Sequence, residues 1–464
     1  MSIHGGPSIR AELCATLRLG LPLVAGQLAG FSTSIVEVVL AGHLGAGVLG
    51  AVGVGNNVWM LPVMGLIGVM MALPPSIAQL DGAGRRGEAA ALFRQALYLS
   101  VSIGAMMGAV IFVIADHVGP WFGIDPSLHA AIAGFLRAAS FGGPATGIWA
   151  ACRGLSDGAS RPRATLLASI GAVLLLLPIA WALMYGRLGL PALGAFGSGM
   201  ANSIVLWVQA LGMLAYVRFS PRFADLGWHK GKRAPDFAVI AGILRLGGPM
   251  AVSVLLEIGL FSAVGVMIGG LGPVAVSGHQ IALNVAAITF MVPLAMAMAV
   301  TIRVGNAVGR HDPAGVRRAG LVGFMITLLT QGVSSSLMLL LPGPILRLYT
   351  ADPAVIQGGA ALLALAAIFQ LSDGLQVTGA GALRGLKDTK VPMLITALAY
   401  WGAGMPVGWY LAFPIGLGAR GMWMGLIAGL SVAAVLLPLR FWRHSGRVGE
   451  IILPGEASRP ISPA

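Results

Sequence analysis

Long apolar segments recur along nearly the whole chain, and charged residues are concentrated in the stretches between them. Many segments exceed the roughly 20 residues that an α-helix needs to cross a hydrocarbon core about 30 Å thick. They do not alternate between polar and apolar positions, as the strands of a membrane barrel would. We therefore predict an all-α polytopic membrane protein. The twelve predicted spans are Leu17–Leu40, Val52–Leu80, Leu92–Ala115, Leu128–Ala151, Ala164–Tyr185, Leu193–Val217, Val239–Gly269, Val274–Ile302, Ala319–Leu341, Ile356–Leu383, Val391–Pro414 and Met422–Phe441.

The composition agrees with this class. Only 10% of the 464 residues are charged, against about 25% in soluble domains. The 68 glycines suit membrane helices, which associate through close packing of small residues. Cys14 and Cys152 are isolated in the sequence, so neither a disulfide framework nor a cysteine metal motif is predicted.

The net charge of +13 is distributed unevenly across the predicted membrane. Nearly all Lys and Arg lie at the N-terminus and in the connections of one side. Only Arg187, Arg347 and Arg420 lie on the other side. Arg137 falls inside a span, where its side chain either extends to the membrane surface or pairs with an acid. The positive-inside rule then predicts a multi-pass membrane protein with both termini in the cytoplasm. The basic surplus is a topological signal, so no nucleic-acid partner is expected.

The two halves of the chain repeat one another at an offset of 227 positions, which later slips to 231, where Arg153–Asp157 match Arg384–Asp388. The offset relates Leu21-Pro22 to Gly248-Pro249 and Asp125-Pro126 to Asp352-Pro353. Because each unit has six helices, the halves face the same way, with a pseudo-two-fold axis along the membrane normal. We predict two six-helix bundles. Their expected limits are an N-terminal lobe at 1–217, a cytoplasmic linker at 218–238, a C-terminal lobe at 239–444 and a flexible tail at 445–464.

Three acidic residues lie inside predicted spans: Glu37, Glu257 and Asp373. A carboxylate at the centre of a spanning helix costs roughly 2.5–3.5 kcal/mol on insertion scales, so a functional role is the default interpretation. The repeat does not duplicate them, since Glu37 corresponds to Val264 and Glu257 to Gly30. We predict that the three acids bind a coupling cation, with the main site in the C-terminal lobe.

Asp373 has the most informative surroundings. Gln370, Asp373 and Gln376 are three residues apart and share a helix face. A carboxylate in a dry interior can hold Na⁺ or H⁺, so we predict a possible Na⁺ site at Glu257 and Asp373. The alternative for Asp373 is a hydrogen-bond cluster that only holds helices together, and for Glu257 a buried neutral side chain. Glu37 shares a face with Ser34, and its alternative is a first span that ends earlier and leaves it in water.

A substrate cavity is expected to use amides, hydroxyls and methionines. Methionines cluster in the second and eighth spans, either as a compliant wall for varied apolar substrates or as gap-fillers in a core. No Walker, HExxH or GxSxG sequence is present, so no enzyme is predicted. The predicted cavity-lining or supporting residues are Gln280, Asn284, Gln370, Gln376, Asn57, Ser34, Asn202, Met64 and Met291.

Several segments together resemble the multidrug and toxic compound extrusion (MATE) family, in particular its NorM-type branch, over essentially all twelve spans. They are Val36–Gly45, Ser253–Phe261, Gly278–Asn284, Thr301–Gly305, and Gln370–Asp373 with Ala382–Gly385. The resemblance implies two six-helix bundles around a V-shaped cavity. It also implies alternating-access export of cationic amphipathic compounds in exchange for Na⁺ or H⁺, with the acids at Glu257 and Asp373 forming the cation site.

Two positions depart from the family pattern. The first-span acid is usually Asp and is Glu37 here, and the Asn usual in the fifth span is replaced by the apolar run Leu176–Ala180, for which Asn202 could compensate. We expect a monomer with no cofactor beyond the coupling ion. Three rival functions are considered. A lipid-intermediate flippase would need a strongly basic cavity, and a membrane-embedded enzyme would need closely spaced metal-binding acids. The third rival is a channel.

Overall fold

The structure, a computed structural model, describes residues 8–189, 191–226 and 234–446. Residues 227–233 of the predicted linker and 447–464 of the predicted tail lie outside the described residues. Every regular element within the described ranges is helical, which confirms the predicted all-α class. The α-helices are α1 Ile9–Leu44, α2 Ala46–Met70, α3 Leu73–Gly82, α4 Arg86–Trp121, α5 Pro126–Ser140, α6 Gly143–Gly158, α7 Arg163–Tyr185, α8 Gly194–Phe219, α9 Phe237–Gly269, α10 Pro273–Gly309, α11 Pro313–Leu340, α12 Pro342–Arg347, α13 Pro353–Gly385, α14 Lys390–Ala397, α15 Met405–Ala412 and α16 Ala419–Ser445.

Eleven helical segments within the described part of the chain are long and apolar enough to cross a membrane. The remaining predicted span, Leu128–Ala151, consists of α5 and α6, which meet at Phe141 and Gly142. A 15-residue helix such as α5 reaches only about 22 Å, so neither helix would cross a bilayer alone. Pro144 explains the interruption, because it has no N–H to donate to the carbonyl group four residues earlier.

The Asp-Pro pairs of the repeat are helix starts. Asp125 accepts a 2.8 Å hydrogen bond from the Ser127 amide at the start of α5, and Asp352 accepts a 2.9 Å bond from the Ala354 amide at the start of α13. In both cases proline occupies the first turn, where its missing N–H costs nothing. The hydrogen bonds from Ser127 lower the pKa of the exposed Asp125 carboxyl, because they stabilise its charged form.

The helices form two compact units. Unit 1 comprises the described residues of Met1–Gly20, Ala78–Arg85 and Leu256–Ala464, and unit 2 comprises Leu21–Ile77 and Arg86–Leu255. Three helices, α1, α3 and α9, therefore contribute residues to both units. The sequence-based lobe limits at 217 and 239 stay a prediction.

Each unit has its own apolar core. Trp423, Phe441 and Tyr400 are completely buried in unit 1, as are Phe93 and Phe135 in unit 2. Glycine allows the closest helix crossings. A Cβ added at Gly104 of α4 would lie 2.3 Å from the Gly143 carbonyl oxygen of α6. In unit 1, a Cβ at Gly425 of α16 would lie 2.3 Å from the Gly408 Cα of α15. These contacts explain part of the high glycine content.

Candidate cation site

Unit 1 brings together Glu257 of α9 and Asp373 of α13, two of the three acids predicted to bind the cation. They lie close enough for their charges to interact. Arg384 lies near Glu257, and the Tyr400 ring lies within electrostatic range of both acids. The site therefore contains two carboxylates, a guanidinium and a phenol, contributed by α9, α13 and the segment that carries Tyr400.

Asp373 is buried and without a hydrogen-bond partner at one oxygen. Its side chain is 4% exposed, and no described group donates to Oδ1. A buried polar atom that lacks a partner is uncommon because it loses its hydration without compensation. The hydrogen-bond cluster considered as the alternative role for Asp373 does not account for this oxygen.

Gln370 performs the helix-joining role instead. Its side-chain amide donates to the Ala286 carbonyl of α10 at 3.0 Å and to the Thr289 hydroxyl. Gln331 of α11 donates to both the backbone carbonyl, at 3.1 Å, and the side-chain oxygen of Gln370. One turn beyond Asp373, toward the C-terminus of α13, the hydroxyls of Thr327 and Thr378 are 2.8 Å apart. This cluster therefore fixes α13 against α10 and α11 around Asp373.

A π-helical segment, Leu398–Gly404, links α14 to α15 and carries Tyr400. Pro406 follows it, and without an N–H it cannot bond the Gly402 carbonyl, which favours a wider turn. Tyr400 is fully buried, and its hydroxyl has no partner among the described residues. The neighbouring Trp401 indole donates to the Leu256 carbonyl at 3.2 Å, which attaches the segment to α9 next to Glu257.

Arg384 lies about three helical turns from Asp373, on the same face of α13. Its Nη2 is buried and has no hydrogen-bond partner among the described groups. Since its charge acts on Glu257, the guanidinium compensates part of the negative charge of the site. The sequence placed Arg384 at the end of a recognisable motif but gave no indication that it approaches Glu257.

The donor set suits an alkali cation or a proton. Carboxylate and amide oxygens are the ligands of hard cations, and Gln376 and Gln331 each have a buried side-chain oxygen without a partner in the described structure. Among the described residues, no group of three or more His, Cys, Asp or Glu side chains could hold a metal ion. The residues therefore fit Na⁺ or H⁺ better than a transition metal.

Glu37 belongs to unit 2, whereas Glu257 and Asp373 belong to unit 1. It is 5% exposed, which does not support the alternative in which it lies in water. No described side chain donates a hydrogen bond to it. Asn202, the residue expected to compensate for the apolar fifth span, is partly buried. A second cation site at Glu37 stays a prediction.

The residues predicted to line the cavity differ in solvent exposure, from exposed to buried. Gln280, Asn284 and Asn57 are exposed, although they lie on helices apolar enough to span a membrane. Ser34, Met64 and Met291 are partly buried, as expected for residues beside a cavity or at a core margin. Gln376 is 4% exposed, so it belongs with the buried stripe around Asp373.

Two further buried acids were not recognised in the sequence, because they lie near helix ends. Glu12 is 3% exposed and pairs with Arg303 through bonds of 2.8 and 2.7 Å. Asp157 is 1% exposed and accepts from Thr165 at 2.8 Å and from Arg153 at 3.4 Å. Unlike Asp373, both have hydrogen-bonded partners.

Arg137 pairs with an acid, which decides between the two roles the sequence left open. Its guanidinium donates to Asp116 of α4 and lies 5.9 Å from the centre of the Phe112 ring. Both side chains of the pair are about half exposed, at 44% and 55%. The pair is therefore a surface feature and not part of the cation site.

The chain is similar to known proteins over almost its full length. The MatE family profile matches residues 22–182 and 249–410, and the second match begins at the repeat offset of the first. The chain is 44% identical to the probable multidrug resistance protein NorM of Xanthomonas campestris pv. campestris, covering 96% of this chain and 98% of that protein. It is 39% identical to the multidrug resistance protein PmpM of Pseudomonas aeruginosa, covering 96% and 94%.

The fold is also found among solved structures. The crystal structure of the eukaryotic MATE transporter AtDTX14 superposes with a TM-score of 0.84 at 18% identity, covering 96% of this chain and all of that one. This similarity confirms the predicted fold class. The family profile and the full-length relatives show that the chain belongs to the MatE family.

Proposed function

We propose that this protein is a secondary antiporter that exports cationic amphipathic compounds, including drugs, in exchange for Na⁺ or H⁺. Glu257 and Asp373 hold the coupling cation in this proposal. Membership of a family of transporters and the names of its relatives support a role in multidrug efflux and not in catalysis. The inner membrane, with both termini in the cytoplasm, is the proposed location, supported by the distribution of Lys and Arg.

The observation that carries the proposal is the environment of Asp373. A carboxylate that only stabilised helix packing would be expected to use its oxygens in hydrogen bonds, as Gln370 does. Asp373 is instead buried beside a second acid, with one oxygen lacking a donor. Two neighbouring carboxylates cannot both stay ionised cheaply in a dry interior, so a bound cation stabilises them.

Exchange follows from the competition of two cations for the same negative charge. When Na⁺ or H⁺ enters from outside, it neutralises the acids and weakens the attraction for a cationic substrate, which leaves. On the inner side, substrate binding is favoured when the coupling ion departs. Each state is selected by the ligand that binds it better. The membrane potential adds about 2.3 kcal/mol per 100 mV for each charge moved inward.

The exposed amides supply a polar lining for the substrate path. Gln280 and Asn284 lie one turn apart on α10, and both are exposed. An amide facing lipid would lose its hydrogen bonds, so exposed amides at this depth favour contact with water or substrate. Asn57, at the equivalent repeat position in unit 2, is exposed as well. Partly buried Met64 and Met291 suit varied apolar substrate groups.

We expect cells that express the chain and lack other drug pumps to accumulate less ethidium than cells without it. Removing the gradient of the coupling ion should abolish this difference, because efflux draws its free energy from that gradient. The measurement is ethidium fluorescence while external Na⁺ is replaced by choline at fixed pH and, separately, while an uncoupler collapses the proton gradient.

A variant with both Glu257→Gln and Asp373→Asn, matched in membrane abundance, serves as the inactive control. Dependence on either ion supports the proposal and identifies the coupling ion. Efflux that continues at the full rate with both gradients removed would contradict it.

A further inference from the structure

A groove of about 420 Å³ runs between α7 and α8 of unit 2. Its walls are formed by Leu167, Gly171 and Leu175 of α7 and by Val208, Gly212 and Met213 of α8, together with small residues between them. Neither Glu257 nor Asp373 belongs to this groove. It is therefore separate from the candidate cation site.

The apolar walls are open to the surroundings of the helices. Leu167 is 69% exposed and Val208 is 47% exposed. Apart from the adjoining residues and backbone of the same helix, no atom lies within 4 Å of a Cβ built on Gly171 or Gly212, so these glycines leave an open channel along the helix pair. A surface of this kind on two membrane-spanning helices faces hydrocarbon and can accommodate an extended acyl chain.

One end of the groove is basic. Arg163, at the first residue of α7, and Arg222, just after α8, both line it and are both exposed. Arg161 lies beside them, since its guanidinium donates to the Arg222 carbonyl at 2.5 Å. Among the side chains that the structure describes, no carboxylate forms an ion pair with any of the three.

A polar rim accompanies the arginines. Tyr216 and Gln209 of α8 line the groove, and the Tyr216 ring packs against Phe223, 5.7 Å away. Arg161 also lies over the Phe223 ring, at 5.3 Å, so this end of the groove is held by ring contacts. Tyrosine and arginine at the end of a spanning helix are typical of the headgroup region.

We propose that the groove binds an anionic phospholipid, with an acyl chain between α7 and α8 and the phosphate at Arg163 and Arg222. Basic pockets between membrane helices recognise anionic headgroups by charge. The same charge disfavours the cationic compounds of the proposed function, so the groove is not a second substrate site. The proposal concerns a surface remote from Glu257 and Asp373 in sequence and does not depend on their role.

The test uses the purified full-length protein and native mass spectrometry with equal amounts of dioleoyl phosphatidylglycerol and dioleoyl phosphatidylcholine. The wild-type protein should retain phosphatidylglycerol preferentially. Arg163→Gln with Arg222→Gln should reduce that preference by roughly tenfold or more, because each basic side chain near an anionic lipid surface contributes about fivefold in affinity. Gly171→Leu should reduce retention of both lipids, since it places a large side chain in the channel at a position where an added Cβ meets no neighbouring residue.

Arg245→Gln is the matched control, because Arg245 is an exposed arginine near the cytoplasmic end of α9 and does not line the groove. It should leave the lipid preference unchanged. The proposal is overturned if the double arginine variant keeps the wild-type preference, if Arg245→Gln loses as much, or if Gly171→Leu binds lipid as the wild type does. Folding of each variant is checked by its size-exclusion profile and thermal unfolding.

Discussion

Asp373→Asn is expected to lower ion-coupled efflux at least about tenfold while leaving the protein folded. Asparagine has nearly the same shape as aspartate, so the packing of α13 against α10 and α11 through Gln370 should be retained. What the substitution removes is the negative charge of the side chain. Removing even an outer partner of a bound metal ion costs 10–100-fold in affinity, and Asp373 is proposed to contact the ion directly.

The measurement is substrate uptake into proteoliposomes driven by an imposed Na⁺ or H⁺ gradient, with the protein content of each preparation matched. Asp116→Asn is the control, because it removes a carboxylate from the exposed pair with Arg137. That variant should transport at the wild-type rate. Wild-type uptake by Asp373→Asn would exclude the proposed role of Asp373.

Glu12→Gln is expected to destabilise the protein by roughly 3 kcal/mol. Glu12 is 3% exposed and binds Arg303 through two hydrogen bonds, so its loss leaves a partly buried guanidinium without its counter-charge. Removing one partner of a buried ion pair costs about 3–5 kcal/mol, and we take the lower end because Arg303 is 20% exposed. The pair joins the start of α1 to α10, so α1 should loosen from unit 1.

This prediction is tested by heating the protein in detergent and measuring the fraction that stays monodisperse as the temperature rises. Asp116→Asn again provides the comparison, since an exposed ion pair contributes about 0–1 kcal/mol. The exchanged pair, Glu12→Arg with Arg303→Glu, should recover part of the lost stability. Equal unfolding temperatures for Glu12→Gln and Asp116→Asn would show that the Glu12–Arg303 pair does not stabilise unit 1.

The helices and their starts follow from local sequence. Long apolar runs predict the spans, and the Asp-Pro pairs at 125–126 and 352–353 mark helix starts because their chemistry acts within one turn. The interruption between α5 and α6 was not predicted, although Gly142, Gly143 and Pro144 give a local signal for it. The apolar pattern continues through this point, which conceals the break.

Partners that lie far apart in the sequence could not be predicted. Glu12 and Arg303 are 291 positions apart, and no local pattern relates them. Tyr400 approaches Glu257 and Asp373 only because a π-helical segment lies against α9. Glu257 and Asp373 were recognised because a carboxylate within an apolar span is itself unusual, whatever its neighbours are.

Gln370 shows that a shared helix face does not imply a shared role. It lies on the same stripe as Asp373, but its hydrogen bonds hold α10, α11 and α13 together. The difference between the two residues lies in their partners in space. Sequence spacing predicted the stripe, and only the packed structure separates the residue that joins helices from the residue that lacks a partner.

Cation release on substrate binding would show whether substrate and coupling ion compete for the charge of Glu257 and Asp373. Tetraphenylphosphonium is added to purified protein in weakly buffered detergent solution, with a pH indicator reporting H⁺ and bound ²²Na⁺ reporting Na⁺. The wild-type protein should release one of these ions as tetraphenylphosphonium binds, and the protein with Glu257→Gln and Asp373→Asn should release neither. Equal ion release from both proteins would contradict it.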